Sequence, residues 1–201
     1  MDEEVAMPTI VTDLAALTSY RYTYEEAGSA DMNVYSFLEI ALPDLTGYTV
    51  TDATCTIYIS AESSPPSLNV AAHCDDQADW SNGSTRATLE GFSFGSQVSS
   101  FSIDGDAVGV NGAVTFSILG SATEGIAKIY TADSSPDPCT IKLIASDYTG
   151  VAVTDSIATG FQLGEQGNDR IQFYTNNATY YPRITITYAG GGKPNYYYDQ
   201  M

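Results

Sequence analysis

Catalysis requires a base, a nucleophile or a metal held in a defined arrangement, and few candidates for such an arrangement stand out in the sequence. The single histidine, His73, is followed directly by Cys74 at the end of a predicted strand. Neighbouring residues on a strand point to opposite faces, so we expect one of the two to be exposed and the other buried, not a nucleophile with its base. The sequence contains no serine-nucleophile, zinc-protease or phosphate-loop motif. We therefore predict that the protein is not an enzyme.

A second candidate site is the acidic stretch DDQADW. Asp76, Asp79 and Trp80 are candidates for sugar binding, with the indole ring as a stacking platform beside the carboxylates. The alternative, which we favour, is that Trp80 packs on the edge of the fold and the aspartates are solvated. Carboxylates here and in DGDAVG, at residues 104–109, also leave open a structural Ca²⁺, although no EF-hand spacing is present and DGDAVG is typical of a turn. We predict no cofactor and no metal centre.

The third candidate is the C-terminal stretch YYPRITITYAGGGKPNYYYDQM. A strand with one buried face is followed by Gly190, Gly191 and Gly192, and then by a short aromatic tail. Tyrosine is enriched where protein surfaces meet. The sequence therefore predicts an assembly interface made by four residues of the tail: Pro194, Tyr196, Tyr197 and Tyr198. We divide the chain into an N-terminal arm (1–7), a folded domain (8–189) and a glycine-hinged C-terminal arm (190–201).

Composition and charge limit the partners of the protein. The 201 residues include 25 Asp and Glu against 7 Lys and Arg, so the formal net charge is −18. Such a surface repels phosphate backbones and anionic lipid, and we expect neither nucleic acid nor membrane as a partner. The 15 tyrosines, against 7 phenylalanines and 1 tryptophan, favour strands over helices.

The cysteines and the first residues of the chain bear on where the protein is made. Cys55, Cys74 and Cys139 show no CxxC or Cys/His metal spacing, and we interpret them as reduced core residues. The first 20 residues lack a basic segment followed by an apolar one, so we expect synthesis in the cytoplasm without a signal peptide.

The elements that must position these candidates are mostly strands. Apolar and polar residues alternate in seven runs between turn-forming clusters, which predicts an all-β sandwich: 35–42, 54–59, 68–72, 114–118, 140–145, 170–174 and 183–188. The alternation predicts a core of twelve residues: Leu38, Ile40, Ile57, Ile59, Val70, Phe116, Ile118, Leu143, Ile171, Phe173, Ile184 and Ile186.

One segment breaks this pattern. In SATEGIAKIYTAD, Ser121 and Glu124 stand at the spacing of a capping box, and Ile126, Ile129 and Tyr130 follow at helical intervals. The sequence therefore predicts a short helix that lies across the sandwich and closes one end of its core.

The order of these pieces resembles the DNRLRE-type β-sandwich modules, a jelly-roll family with carbohydrate-binding members. YSFLEIALPDLTGYTVTDATCTIYI is similar to the opening pair of strands of that family, and LNVAAHCDDQADW to the next strand with its acidic and tryptophan ending. AVTFSILGSATEGIAKIY resembles its strand and short helix, and RIQFYTNNATYYPRITITY its closing hairpin. The resemblance spans roughly residues 34–188 and implies a single jelly-roll domain.

Two functions are compatible with these features. The compact sandwich, the predicted cytoplasmic synthesis and the tyrosine-rich arm favour a structural protein of a larger particle, such as a capsid decoration or tail surface protein of a virion. Its partners would be other copies of itself or other particle proteins, and its location the virion surface. The alternative is a stand-alone carbohydrate-binding module that meets surface glycans outside the cell.

Overall fold

A computed structural model describes residues 9–13, 32–63, 67–76, 92–133, 138–148, 161–164, 170–174 and 177–190. In these ranges the chain forms ten strands: β1 (Thr9–Asp13), β2 (Met32–Ile40), β3 (Tyr48–Ser63), β4 (Ser67–Asp75), β5 (Ser99–Asp104), β6 (Ala113–Ser117), β7 (Cys139–Tyr148), β8 (Phe161–Gly164), β9 (Arg170–Phe173) and β10 (Arg183–Gly190). Two short helices complete the described part, α1 (Gly105–Val108) and α2 (Gly125–Ala132).

The strands form two sheets in which every described pairing is antiparallel. The larger sheet has the order β1-β10-β3-β9-β8, and β6 also pairs with β3. The smaller sheet has the order β2-β7-β4-β5. The hydrophobic core draws residues from both sheets, which is the arrangement of a sandwich. The prediction of an all-β fold is confirmed.

The predicted core is also confirmed. All twelve residues that the alternating pattern selected are buried, the most exposed being Phe116 at 5%. Alternate residues of a strand face the same side, so Ile57 and Ile59 of β3 and Ile184 and Ile186 of β10 point together into the space between the sheets. Each fully buried side chain of this size stabilises the fold by about 1.5–3 kcal/mol.

The longest strand, β3, holds the larger sheet together. Residues 48–56 pair with β10, residues 54–58 pair with β6, and residues 59–63 pair with β9. The predicted strand 54–59 is thus the middle of a 16-residue strand. Thr49, Thr51 and Asp52 are exposed, and these polar residues hide the alternating pattern in the first third of β3. This part of the strand is nevertheless paired with β10.

The predicted helix is present, but its start was wrong. Helix α2 begins at Gly125, and Glu124, not Ser121, is its N-cap residue. Ser121 instead forms a tight turn with Glu124, in which its N–H donates to the Glu124 carbonyl at 3.0 Å and its hydroxyl donates to Glu124 Oε1 at 2.9 Å. Gly120 and Gly125 flank this turn with φ of 67° and 72°, a conformation that favours glycine.

Helix α2 packs against the core between the two sheets. Ile126 and Ile129 are at most 2% exposed and belong to the core cluster. The helix contacts β3 of the larger sheet and β4 of the smaller one. Among the described residues, no helix has the length and apolar character needed to cross a bilayer.

Candidate functional site

A buried carboxylate lies at the end of β4. Asp75 is 2% exposed, and its Oδ1 accepts a hydrogen bond from Nζ of Lys128 at 2.6 Å. The same oxygen accepts the backbone N–H of Asp76 at 2.9 Å. Strand β4 positions Asp75 and helix α2 positions Lys128, so this ion pair joins the helix to the smaller sheet.

The pKa values of the adjacent Asp75 and Asp76 carboxyl groups are shifted in opposite directions. Burial alone would raise the pKa of Asp75, but the hydrogen bonds from Lys128 and Asp76 and the lysine charge outweigh it, so its pKa lies below the usual value. The pKa of Asp76 is raised, first by its hydrogen bond with the Asp75 carboxyl and then by burial. The hydrogen bond with Asp75 likewise raises the pKa of Lys128. Asp75 is therefore an ionised carboxylate at neutral pH, and Lys128 stabilises its charge.

The predicted sugar-binding set is only partly within the described residues. Asp76 is exposed and lies against Asp75, while Asp79 and Trp80 fall outside the described residues. In DGDAVG, which was predicted to be a turn, residues 105–108 form the short helix α1, and Asp104 caps it by accepting the N–H of Ala107 at 3.1 Å. Within the described ranges, no three His, Cys, Asp or Glu residues gather into a group that could hold a metal ion.

His73 and Cys74 lie on opposite faces of β4, as predicted. Cys74 is 2% exposed in the core, whereas half-buried His73 lies on the other face with its Nδ1 3.0 Å from the Gly95 carbonyl oxygen. Burial lowers the pKa of His73, and the nearby Lys142 lowers it further, although the hydrogen bond with Gly95 opposes them. The net effect favours the neutral form of the imidazole.

An aromatic layer that the sequence did not predict covers His73. The ring of Phe94 lies 6.4 Å from the ring of His73, 6.1 Å from that of Phe37 and 6.4 Å from that of Phe92. Nζ of Lys142 lies 5.1 Å from the centre of the Phe94 ring. Phe92 and Phe94 thus pack on the outer side of the smaller sheet.

The three cysteines are core residues. Cys55, Cys74 and Cys139 are buried and form no disulfide, as predicted. Burial raises the pKa of the Cys55 thiol, and a hydrogen bond with Cys139 together with burial raises that of Cys74. Because the thiolate is the reactive form, these two thiols are poor nucleophiles.

A group of tyrosines around an arginine lies on the outer face of the larger sheet, and we name it the tyrosine cluster: Tyr58, Tyr174, Tyr180, Tyr181 and Arg183. The ring of Tyr180 lies 5.6 Å from each of the rings of Tyr58 and Tyr174, and it stacks on Tyr174 at an interplanar angle of 23°. The guanidinium carbon of Arg183 lies 4.7 Å from the Tyr181 ring centre and 5.5 Å from that of Tyr58. All five side chains are half-buried.

The backbone fixes the positions of these rings. The N–H of Tyr174 donates to the Tyr58 carbonyl at 2.9 Å, so the two residues lie side by side across β3 and the end of β9. The Tyr174 hydroxyl donates to Oδ1 of Asn111 at 2.9 Å. Nε of Arg183 is buried and has no hydrogen-bond partner among the described residues. The cluster thus combines stacked rings, polar groups and a cation on an acidic protein.

Described residues line at least two surface cavities. One of about 370 Å³ runs along β4 and β5 and is lined by Asn69, Val70, Ala71, Gln97, Ser100, Phe101 and Ser102. Another of about 190 Å³ lies between α2 and the start of β3, next to Tyr48 and Tyr130. The linings of these two cavities contain no charged residue, histidine or cysteine.

The first and last described strands, β1 and β10, are paired at one edge of the larger sheet. Strand β1 pairs with β10 so that Thr9 is opposite Thr187 and Asp13 is opposite Arg183. The chain therefore enters β1 and leaves β10 at the same end of the sheet. At this exit Gly190 has a φ of 87°, and the rings of Tyr48 and Tyr188 meet edge to face at 4.7 Å. Pro194 and the three tail tyrosines, Tyr196 to Tyr198, lie outside the described residues.

Comparison with known proteins adds no assignment. No family model matches the chain, and a search of curated proteins also finds no match.

Proposed function

We propose that this protein is a non-enzymatic structural subunit of a larger assembly. The observation that carries the proposal is the antiparallel pairing of β1 with β10, which brings both terminal segments out at one end of one sheet edge. Two arms that leave together can reach the same neighbouring subunit. The class of particle that we propose is a virion, with the protein as a capsid decoration or tail surface protein located on its exterior.

The composition of the C-terminal segment supports a contact with a neighbouring subunit. Strand β10, whose Ile184 and Ile186 are 0% exposed, is followed by the segment after Gly190. Its three consecutive tyrosines offer large contact areas at a low cost in side-chain entropy.

We also propose that the two antiparallel sheets form a jelly-roll of the DNRLRE type. Its support is the sequence order of the strands and of helix α2, which follows the order of the resembling segments. The net charge of −18 disfavours nucleic acid and anionic membranes as partners.

Deletion of residues 191–201 tests the assembly function. We expect the truncated protein to melt within about 1 °C of the full chain, because a change away from the packed core costs little stability. We also expect it to sediment as a monomer at concentrations where the full chain forms oligomers. Sedimentation velocity and thermal melting are the two measurements.

A matched variant separates the tyrosines from the length of the arm. Replacing Tyr196, Tyr197 and Tyr198 by serine keeps the arm but removes its rings, and we expect the same loss of oligomers. Undiminished assembly of the truncated protein would contradict the proposed role of the arm. A full-length chain that stays monomeric at every concentration would contradict self-assembly itself.

The tyrosine cluster favours a second candidate function, the binding of carbohydrate. Stacked, half-buried rings beside the polar side chains of Asn111 and Arg183 provide both faces for sugar rings and hydrogen-bonding groups. We expect Tyr180→Ala to abolish binding on a glycan array if this function holds. Tyr48→Ala is the control, since Tyr48 is 41% exposed and lies outside the cluster. Absence of binding by the unaltered protein would rule this function out.

A further inference from the structure

We propose that strand β5 is a contact between subunits, at which it pairs antiparallel with β5 of a second copy of the chain. This inference rests on the proposed assembly function and names the surface and the partner. Strand β5 is the last strand of the smaller sheet, and β4 pairs with one of its two edges. Within the described part of the chain, no strand pairs with its other edge.

The free edge of β5 is open to another strand. In an edge strand, every second residue turns its N–H and C=O groups away from the neighbouring strand, and these groups are a template for pairing. Edge strands are commonly protected from such pairing by charged side chains or proline. Residues 99–103 of β5 contain neither.

The one charged residue of β5, Asp104, lies at the end of the strand. Its Oδ1 accepts the N–H of Ala107 at 3.1 Å and so caps helix α1. The carboxylate is therefore held by the helix, beyond the uncharged residues 99–103.

Contacts with the larger sheet hold β5 in place. The ring of Phe101 stacks on that of Phe116 in β6, with centres 4.6 Å apart, and the hydroxyl of Ser99 donates to the carbonyl of Ser117 at 2.7 Å. Strand β6 pairs with β3, and no described strand pairs with its other edge. Where β5 and β6 meet, both sheets therefore end in a free edge. An edge that is already ordered loses little entropy when a partner binds.

The absence of charge favours a second copy of the chain as the partner. At a net charge of −18, two copies repel each other over much of their surface. Along residues 99–103 they can meet without opposing carboxylates. An antiparallel pair is also the arrangement that a two-fold axis produces from two identical strands, and two-fold symmetry is the commonest symmetry of homodimers.

The burial pattern determines the register of this pair. Phe101 and Ile103 pack on the core, whereas Ser100 and Ser102 are exposed. Residues opposite each other on paired strands lie on the same face of a sheet, so inward residues must be paired with inward ones. The alignment that pairs all of residues 99–103 places Phe101 opposite Phe101 of the second copy, and Ser100 opposite its Ser102. Aromatic pairs at such positions stabilise a sheet.

The cavity along β4 and β5 leaves space beside this edge. Its volume is about 370 Å³, and Gln97, Ser100 and Ser102 are among its uncharged lining residues. A pair of six-residue strands is nevertheless small compared with the roughly 1,000 Å² that a stable interface buries. We therefore expect β5 to pair between copies that the C-terminal arms already hold close, where the effective concentration is high.

Disulfide cross-linking of the full-length chain tests the pairing. Ser100→Cys and Ser102→Cys chains are mixed, assembled and oxidised with oxidised glutathione, and free thiols are blocked before a non-reducing gel is run. Directly paired residues on antiparallel strands lie within disulfide range. We expect a dimer linked between positions 100 and 102 from assembled material and none from a dilute, monomeric mixture. Each variant alone should link far less, because identical positions are then two residues out of register.

Thr131→Cys is the matched control, since Thr131 is exposed on helix α2 and lies outside β5. If the assembled mixture of Ser100→Cys and Ser102→Cys links no more than Thr131→Cys, the pairing of β5 is overturned and assembly stands. Equal linking by either variant alone would also overturn it, because the register would be lost. A full-length chain that stays monomeric at every concentration would overturn both the pairing and the assembly function.

A charge at the edge provides a second test without added cysteines. Ser100→Lys places an ammonium group beside the free edge, which opposes strand pairing. We expect this variant to melt like the unaltered chain but to form fewer oligomers in sedimentation velocity. Thr131→Lys makes the same change of charge on α2 and should leave the oligomers undiminished. Equal assembly of the two lysine variants would contradict the proposed contact.

Discussion

Phe116→Ala is expected to destabilise the protein by about 3–5 kcal/mol, the largest effect of any single change considered. Phe116 is 5% exposed, and its ring stacks on that of Phe101 with centres 4.6 Å apart and an interplanar angle of 8°. The substitution leaves a cavity between β5 and β6 and removes an aromatic pair that accounts for ~0.5–1.5 kcal/mol of this loss. In a domain of this size the loss lowers the melting temperature by about 6–20 °C.

Val110→Ala is the control for this prediction. It also shortens an apolar side chain, but Val110 is 49% exposed, so we expect a change of at most about 0.5 kcal/mol. Thermal and denaturant unfolding of both variants provide the measurement. Equal melting temperatures for Phe116→Ala and the unaltered chain would mean that the strand register around β6 is wrong.

Lys128→Met is expected to destabilise the protein at neutral pH by about 1–3 kcal/mol. The change leaves the Asp75 carboxylate, 2% exposed, without the ammonium group that now lies at 2.6 Å. Removing one partner of a fully buried pair costs about 3–5 kcal/mol, but the side chain of Lys128 is 35% exposed and water screens part of the interaction. Lys128→Arg keeps the charge and should lose less.

The pH dependence identifies the cause of this loss. The pKa of Asp75 is lowered in the folded state, so its contribution to stability is present above about pH 4, where the unfolded group ionises, and is lost as the pH falls through the lower folded value. The raised pKa of Asp76 acts in the opposite direction, since its contribution is complete at low pH and is lost as the pH rises through the folded value. The penalty of Lys128→Met should therefore be largest near neutral pH and shrink below pH 4.

The double variant Asp75→Asn, Lys128→Met completes a double-mutant cycle, which measures the interaction between the two residues. Without a buried charge to compensate, the loss of the lysine should matter less, so the double variant is expected to be more stable than the sum of the two single changes predicts. Additive losses would show that Lys128 acts through packing of its hydrocarbon chain and not through its charge.

The parts of the fold that the sequence predicted share one physical property, a buried face repeated over several residues. The strands that it missed are β1, β5 and β8. In β5 only Ile103 is fully buried, and Phe101 is only partly so, which weakens the alternation. The start of α2 was misplaced because Ser121 and Glu124 have the spacing of a capping box but close a turn of their own.

The candidate sites were harder to predict, because a single sequence shows neighbours along the chain and not neighbours in space. Asp76 was grouped with Asp79 and Trp80 by proximity, whereas the contact that matters for the buried charge joins Asp75 to Lys128, 53 positions away. The tyrosine cluster likewise combines three separate segments around Tyr58, Tyr174 and Tyr180. The one sequence feature that indicated this cluster was the number of tyrosines just before β10.

The antiparallel pairing of β1 with β10 also determines how the protein responds to mechanical tension. A force that pulls the two terminal segments apart acts across the strands at their shared end, starting at the pair Thr9 and Thr187. The hydrogen bonds of an antiparallel pair run perpendicular to the strands, so this force opens them one after another and not all together. Strand β1 is then the first element to yield, while β10 keeps its bonds to β3. In the proposed assembly, tension between these two segments would therefore open the pairing of β1 with β10 first and leave the pairing of β10 with β3 intact.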